Sequence, residues 1–363
     1  MKKKKIFFIL PNLAAGGAER VISTLANDFS TKYNVCIITL NKSEIFYALH
    51  KDVKTLYCIE NIIPSKNIFD AIKLNCLLLK KILFYLKQEK PDLVISFITS
   101  SNILSIIATM LRNIPCIISE RNFPNTNRTS KTRRYLRKLL YKKANFLVVQ
   151  TEEIKNYFSS IIAEEKIVIL PNPIAKELTK SRNSNSIKEN VILNVGSLTS
   201  QKAQDVLIKA FANIDNDNWK LIIIGEGGKR KEYEALIRSL KLQNKVILLG
   251  LTKDISLYYN SATIFAFTSL FEGFPNALIE AMHFGLPCIS TDCPTGPSKL
   301  IENGENGFLI PINNQKKLEN CLTKLISDKN LQNTFGKNAM STTKQFDVDT
   351  VILQWDSLIN HLI

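Results

Sequence analysis

"KIVILPNPIAKELTKSRNSNSIKENVILNVGSL", residues 166–198, decides how this chain is organised. It closes one short apolar run, crosses a polar stretch at 176–190, and opens another. Upstream lie "KIFFIL" (5–10), "NVCIITL" (34–40), "DLVISFI" (92–98), "PCIISE" (115–120) and "NFLVVQ" (145–150). Between them fall helical patterns such as "AERVISTLANDFSTKY" (18–33), where Val21, Ile22, Leu25 and Phe29 share a face, and the segments 71–88 and 101–112. Downstream the alternation starts again with "WKLIIIGEG" (219–227), "KVILLGL" (245–251), "TIFAFTS" (263–269) and "LPCISTD" (286–292). Apolar runs without polar alternation, spaced by helices, indicate a parallel sheet covered on both faces. The fold class is therefore α/β, with two doubly wound Rossmann-like domains in tandem. The reading places the first at 1–175, the second at 176–345 with 176–190 as the linker, and a terminal helix at 346–363 that can pack back on the first domain. A length of 363 residues agrees with two cores rather than one.

Composition is that of a globular protein, 45% hydrophobic and 22% charged, with no Pro/Gly/Ser-rich tract. The seven cysteines are scattered, form no C-x-x-C pair and sit mostly in apolar runs. They read as buried small hydrophobes in a reducing compartment. The basic start "MKKKKIFFILPNL" imitates a signal peptide, but its apolar run is only five residues long before Pro11. No run approaches a membrane span, so the expected location is cytoplasmic. The net charge of +16 is uneven: residues 1–150 hold 25 Lys/Arg against 9 Asp/Glu, and 151–363 hold 23 against 23. A basic first half attracts nucleic acid, an anionic membrane or a phosphorylated substrate. Nucleic acid is disfavoured, since no recognition module, stacking aromatic pattern or zinc ligand set accompanies the charge.

In open parallel sheets ligands bind beyond the carboxyl ends of the strands, and those loops carry unusual residues here. In "PNLAAGGAER" (11–20), Gly16 and Gly17 permit a sharp turn before a helix N-terminus, a place suited to an anion. The loops "NVGSLTSQKAQ" (194–204) and "IIIGEGGKR" (222–230) bring Gly196, Lys202, Glu226 and Arg230 to one edge. Cations beside helix N-termini suit a diphosphate. In "FEGFPNALIEAMHFG" (271–285), Glu272 lies in the loop, Pro275 and Asn276 begin a helix, and Glu280 sits inside it. Amides of residues 274–278 are expected unpaired and turned to phosphate oxygens. Two carboxylates beside a nucleotide diphosphate read as hydroxyl acceptors, one for a ribose and one for a sugar.

"FEGFPNALIEAMHFGLP" resembles the E-x7-E signature of the family-4 retaining glycosyltransferases, whose GT-B fold sets two Rossmann-like domains across a cleft. "GGAER", "NVGSLTSQK", "GEGGKR" and "GLTKDISLYYNSA" follow in the family's order, and the resemblance runs from residue 6 to about 345. With "ISERNFP" (118–124) and "PTGPSKLIENGENGFLIP" (294–311), the chain is most similar to the branch that adds N-acetylgalactosamine and related sugars to polyprenyl-diphosphate-linked glycans.

The resemblance implies catalytic roles for Glu272, toward the transferred sugar, and Lys202, toward the leaving diphosphate. It implies donor binding by Glu280 at the ribose and by Gly273, Phe274, Pro275, Asn276, Ala277 and Leu278 at the diphosphate. Arg230 and Gly196 assist there, and Gly250, Leu251 and Thr252 face the base. The acceptor side is expected to use Gly16, Gly17, Glu19, Glu120, Arg121 and Asn122. Two positions depart from the family: Ser197 stands where an arginine is usual, and Arg121 where some relatives carry histidine.

The implied donor is a nucleotide sugar, a UDP-sugar first and a GDP-sugar as the alternative, and the implied acceptor a lipid-linked saccharide. Transfer with retention needs no further cofactor. "NRTSKTRRYLRKLLYKK" (127–143) holds eight Lys/Arg and no acid. It reads as a basic helix whose Leu136, Leu139 and Leu140 pack inward while Lys131, Arg133, Arg134, Arg137, Lys138 and Lys142 meet anionic lipid. No metal is expected: Asp215 and Asp217 fall on a turn away from the strand-end loops, and the three histidines form no cluster. A non-catalytic glycan-binding protein is the alternative of a different class. A dehydrogenase is disfavoured because neither half carries G-x-G-x-x-G after its first strand.

Overall fold

The computed structural model describes residues 3–63, 66–121 and 130–363. The chain folds as two compact units, one running up to Pro173 and taking back Val348–Ile363, the other formed by Ile174–Asp347.

The first unit contains β1 (Lys5–Leu10), α1 (Gly17–Phe29), β2 (Asn34–Asn41), β3 (Lys54–Ile59), α2 (Ile68–Glu89), β4 (Leu93–Phe97), α3 (Thr99–Met110), β5 (Cys116–Ser119), α4 (Lys131–Leu140), β6 (Phe146–Val149), α5 (Glu152–Ser159) and β7 (Ile167–Ile169). Its seven strands are all parallel, in the order β3-β2-β1-β4-β5-β6-β7. The β1, β4, β5 and β6 strands are almost wholly apolar and buried because helices cover both sides of the sheet. Local signals set the helix starts: Asn67 caps α2 by accepting from the Asp70 amide, and Thr151 caps α5 by accepting from the Ile154 amide.

The second unit contains α6 (Lys176–Ser181), β8 (Val191–Val195), α7 (Gln204–Ala212), β9 (Lys220–Ile224), α8 (Arg230–Ser239), β10 (Val246–Gly250), α9 (Ile255–Ser261), β11 (Ile264–Phe267), α10 (Asn276–His283), β12 (Cys288–Thr291), α11 (Pro297–Leu300), β13 (Gly307–Ile310), α12 (Gln315–Ser327) and α13 (Lys329–Thr342). Its six parallel strands run β10-β9-β8-β11-β12-β13. The last helix, α14 (Val348–Asn360), belongs to the first unit. There Trp355 is fully buried and stacks on Phe97 at 6.1 Å between ring centres.

The unit boundaries fall at 173/174 and 347/348 rather than 175/176 and 345/346. The reason is backbone pairing: the Ile174 amide donates to the Phe346 carbonyl at 2.8 Å, so the entering and leaving segments are tied together. The polar stretch 176–190 is no linker either, because it lies within the second unit. It forms α6, buries Leu178 and wraps Asn260, whose side chain accepts from the Asn183 amide at 2.9 Å and donates to the Ser181 carbonyl at 2.8 Å. Its polarity reflects an exposed surface, not a flexible tether.

Candidate functional site

Strand order reverses between β8 and β11 in the second unit, where Leu193 lies opposite Phe265. A switch point of this kind opens a crevice between two strand-end loops. Here they are the β8–α7 loop and the β11–α10 loop, and hydrogen bonds bind the two together. The Leu270 amide donates to the Gln201 carbonyl at 2.8 Å, the Gln201 side chain to the Phe271 carbonyl at 2.8 Å, and the Thr268 hydroxyl to the Lys202 carbonyl at 2.9 Å.

The loops bring Lys202 and Glu272 into contact. Lys202 Nζ donates to Glu272 Oε1 at 2.6 Å, with both side chains largely buried. The ammonium also lies 5.0 Å from the centre of the Phe267 ring, a face that attracts a cation. Glu272 is held at its backbone: its amide donates to the Pro294 carbonyl at 3.2 Å, and its carbonyl accepts from the Thr295 hydroxyl. The next residue, Gly296, has φ +113°, and an added Cβ would come within 2.6 Å of Pro275 Cδ. Only glycine fits that conformation and that approach.

Glu280 lies on α10, buried, and accepts from the Tyr259 hydroxyl at 3.0 Å. The expectation of free amides over 274–278 needs correcting. Pro275 has no N–H, the Asn276 amide donates to the Phe274 carbonyl at 3.0 Å, and the Leu278 amide to the Pro275 carbonyl at 3.0 Å. A tight turn precedes the helix and consumes these donors, which leaves Phe274 and Ala277 as the amides of this stretch that no backbone carbonyl among the described residues takes. One turn beyond Glu280, His283 is buried, its Nε2 3.2 Å from the Thr179 hydroxyl and its carbonyl accepting from Arg182 at 3.1 Å. Burial first, and the Arg182 charge second, lower its pKa from 6.5.

Arg230 opens α8 and is held by three groups: Glu226 at 2.5 Å, Glu234 at 2.9 Å and the Leu248 carbonyl at 3.0 Å. Gly196 ends the β8 run, with its amide donating to the Ile224 carbonyl at 2.9 Å, and Gly250 closes β10. Leu251 is exposed, and the Thr252 hydroxyl accepts from the Asp254 amide at 3.2 Å. Asp215 and Asp217 lie between α7 and β9, with Asp217 paired to Lys245 at 3.1 Å. Gly273 sits in the turn beside Glu272, its carbonyl 3.5 Å from the Thr295 hydroxyl.

In the first unit the strand order reverses between β1 and β4. Gly16 and Gly17 begin α1 there, and the half-buried Glu19 carboxylate folds back over Gly16, its pKa raised by burial. Glu120, at the end of β5, is fully enclosed and accepts from Thr99 at 2.8 Å and from the Tyr141 hydroxyl, with Asn102 at 3.4 Å. Burial pushes its carboxyl upward. Arg121 is buried over the Phe97 ring at 4.5 Å and donates to Asn172. Its Nε and second terminal nitrogen have no hydrogen-bond partner among the described residues, and burial brings its pKa down to about 9. Asn122 lies outside the described residues.

On α4 the expected division of faces is corrected. Arg137 is buried, donates to the Tyr157 hydroxyl at 2.7 Å and lies against Phe158, whereas Leu139 is exposed. The arginine stem and planar head pack on aromatic rings better than on solvent. Lys131, Arg133, Arg134, Lys138 and Lys142 remain on the surface.

Tyr259, Phe267, Thr295 and Gly296 complete the site without having been singled out, whereas His283, read from the sequence as a structural residue of the helix after the glutamate loop, is buried on α10. Only the "PTG" at 294–296 offered a signal, a glycine beside a proline outside any element.

The chain matches two family models, Glycosyltransferase Family 4 over residues 15–178 and Glycosyl transferases group 1 over residues 176–342. It is 30% identical to a Campylobacter jejuni α-1,4-N-acetyl-D-galactosaminyltransferase named for a diNAcBac-PP-undecaprenol-linked acceptor, over 98% of both chains. It is 28% identical to the amylovoran biosynthesis glycosyltransferase AmsD of Erwinia amylovora, over 98% of this chain and 99% of that one. Among solved structures, Anabaena HepE in complex with UDP and glucose superposes with a TM-score of 0.85 at 21% identity, covering 99% of this chain and all of that one. The chain belongs to the family-4 glycosyltransferases, has their GT-B fold of two Rossmann-like domains, and is a glycosyltransferase.

Proposed function

We propose that the chain transfers a hexose or N-acetylhexosamine from a UDP-sugar to a lipid-linked saccharide, with retention of anomeric configuration, in the assembly of a surface polysaccharide or lipid-linked glycan. The observation that carries this reading is the Lys202–Glu272 pair at the switch point, with buried Glu280 on the helix that follows. The acceptor named for the Campylobacter relative, and the UDP and glucose named in the HepE complex, support it.

In this reading Glu280 takes the ribose hydroxyls and Glu272 those of the transferred sugar, while Lys202 is drawn from Glu272 toward the diphosphate. The acceptor hydroxyl attacks the anomeric carbon on the face from which the diphosphate departs. A carbon–oxygen bond to the acceptor forms as the bond to the phosphate oxygen breaks. UDP leaves with the electron pair and receives the acceptor's proton. The rate comes from positioning and from Lys202 meeting charge as it develops. Ser197 supplies no cation, so Lys202 and Arg230 carry that task. Transfer is expected to proceed without a divalent metal, with Lys202 and Arg230 as the cations offered to the leaving group. In the first unit, Arg121, with two donors lacking a partner among the described residues, suits an anionic group on the acceptor. The enzyme works peripherally at the inner face of the cytoplasmic membrane.

The test is binding and hydrolysis of UDP, GDP and a panel of their sugars without added metal, followed by product analysis by the anomeric proton coupling. UDP-sugar binding weakened roughly 10–100-fold in Glu280→Ala and an α-linked product from an α-linked donor are expected. No nucleotide binding would sink the reading, and preference for a GDP-sugar would correct the donor.

A further inference from the structure

The basic helix α4 is not where the first unit shows the most apolar surface. That surface is on α2. Leu78, Ile82 and Leu86 point into the core, while the opposite face leaves Phe69 78%, Ile72 56% and Phe84 56% exposed. Ile63, ahead of the helix, and Ile68, its first residue, are 77% and 66% exposed. Lys73, Lys80 and Lys87 follow the same outward face at seven-residue intervals, and among the described residues none of the three has a carboxylate partner. The helix is not long and apolar enough throughout to cross a membrane. Its neighbours extend the surface. α3 packs between α2 and α4 and ends in exposed Met110 and Leu111, and α4 shows Tyr135 and Leu139 among its cations.

Isolated apolar residues on a surface need no explanation, but a helix face on which exposed aromatic and aliphatic side chains are interleaved with lysines that have no carboxylate partner among the described residues does. We infer that α2 is the element that docks on an anionic lipid surface, lying in the headgroup layer with Phe69, Ile72 and Phe84 in the acyl boundary. Lysine stems lie along apolar surface while their ammonium groups reach the headgroups, which is the arrangement an interfacial helix uses. Charge selects lipid over a second copy of the chain. A two-fold interface through this face would set Lys73, Lys80 and Lys87 against the same three lysines. The inference deepens the proposed membrane location by naming its element, and it is independent of which sugar is transferred.

The experiment is flotation of the full chain with phosphatidylcholine vesicles, with and without phosphatidylglycerol, alongside nucleotide-sugar hydrolysis. The wild type is expected to float with the anionic vesicles only, and Phe69→Ser/Ile72→Ser/Phe84→Ser to lower its partition by about tenfold or more. Hydrolysis should stay unchanged, which shows that the variant has folded. Phe69→Trp provides a second reading that needs no destabilising change, through a blue shift of its emission on anionic vesicles. The inference is overturned by a triple variant that floats like the wild type, by loss confined to Lys131→Gln/Arg133→Gln/Arg134→Gln, or by a stable dimer of the Phe69→Trp variant that shields the introduced indole from aqueous quencher. Hydrolysis without any vesicle binding by the wild type would overturn it too, yet leave the donor reading standing. Vesicle binding without nucleotide binding would do the reverse.

Discussion

Lys202 and Glu272 neutralise each other before any substrate arrives, and the lysine must exchange that partner for a diphosphate during the reaction. Lys202→Met is expected to lower kcat by about 10²–10³-fold, with a smaller change in KM, because the lost interaction strengthens as the leaving group gains charge. Steady-state kinetics on the best donor checks this. The same change leaves a buried carboxylate unpaired, so Lys202→Met/Glu272→Gln should unfold at a higher temperature than Lys202→Met alone. Glu280→Ala should weaken nucleotide-sugar binding by roughly 10–100-fold, the worth of hydrogen bonds to a charged group, in calorimetric titration. Gly296→Ala should cost about 1–3 kcal/mol of stability, since its φ of +113° and its contact with Pro275 leave no place for a Cβ. Denaturant unfolding measures that cost. Glu272 and Glu280 were legible in the sequence because their spacing survives folding. The Tyr259 hydroxyl on Glu280 and the Phe267 ring under Lys202 were not, because each comes from an adjacent strand or helix brought in by sheet order.

At the scale of elements, α10 carries Glu280 and is clamped at its far end by α6 and the residue after it, through Thr179 to His283 and Arg182 to the His283 carbonyl. Burial holds the imidazole neutral in the folded chain. Below pH 6.5 the unfolded chain binds a proton that the folded one resists, so stability is present above that pH and falls on acidification toward the lowered folded value. The melting temperature should therefore drop more steeply between neutral pH and about pH 5.5 in the wild type than in His283→Gln. An equal slope in the two proteins would remove His283 as the cause. The tight turn before α10 and the inward Arg137 of α4 show why helix faces were harder to assign than helices. Periodicity names the positions that share a face. Which face the core takes depends on neighbours such as Tyr157 and Phe158, far from α4 in helix register.

For the whole molecule, the first unit depends on sixteen residues that return to it after the second unit is complete, Val348–Ile363. Trp355 closes the aromatic cluster of Phe8, Phe29 and Phe97, with Tyr33 donating to Asp356 at 2.5 Å beside it. Trp355→Ala should destabilise that unit by about 3–5 kcal/mol. Hydrogen exchange should then rise first in β1 and β4 while β8 and β11 keep their protection.

What the sequence determined by itself was the class of fold and the chemistry of the strand-end loops. Apolar runs, glycine turns and the E-x7-E spacing are local features, set by the pleat of a buried strand and by the residues at its end. Only the tertiary structure decided which loops meet. Sheet order placed Lys202 against Glu272, backbone pairing at Ile174 and Phe346 moved the boundary and made 176–190 part of the second unit, and packing turned Arg137 inward and left Phe69, Ile72 and Phe84 of α2 outward. These outcomes depend on contacts between residues remote in the chain, and no local pattern carries that information.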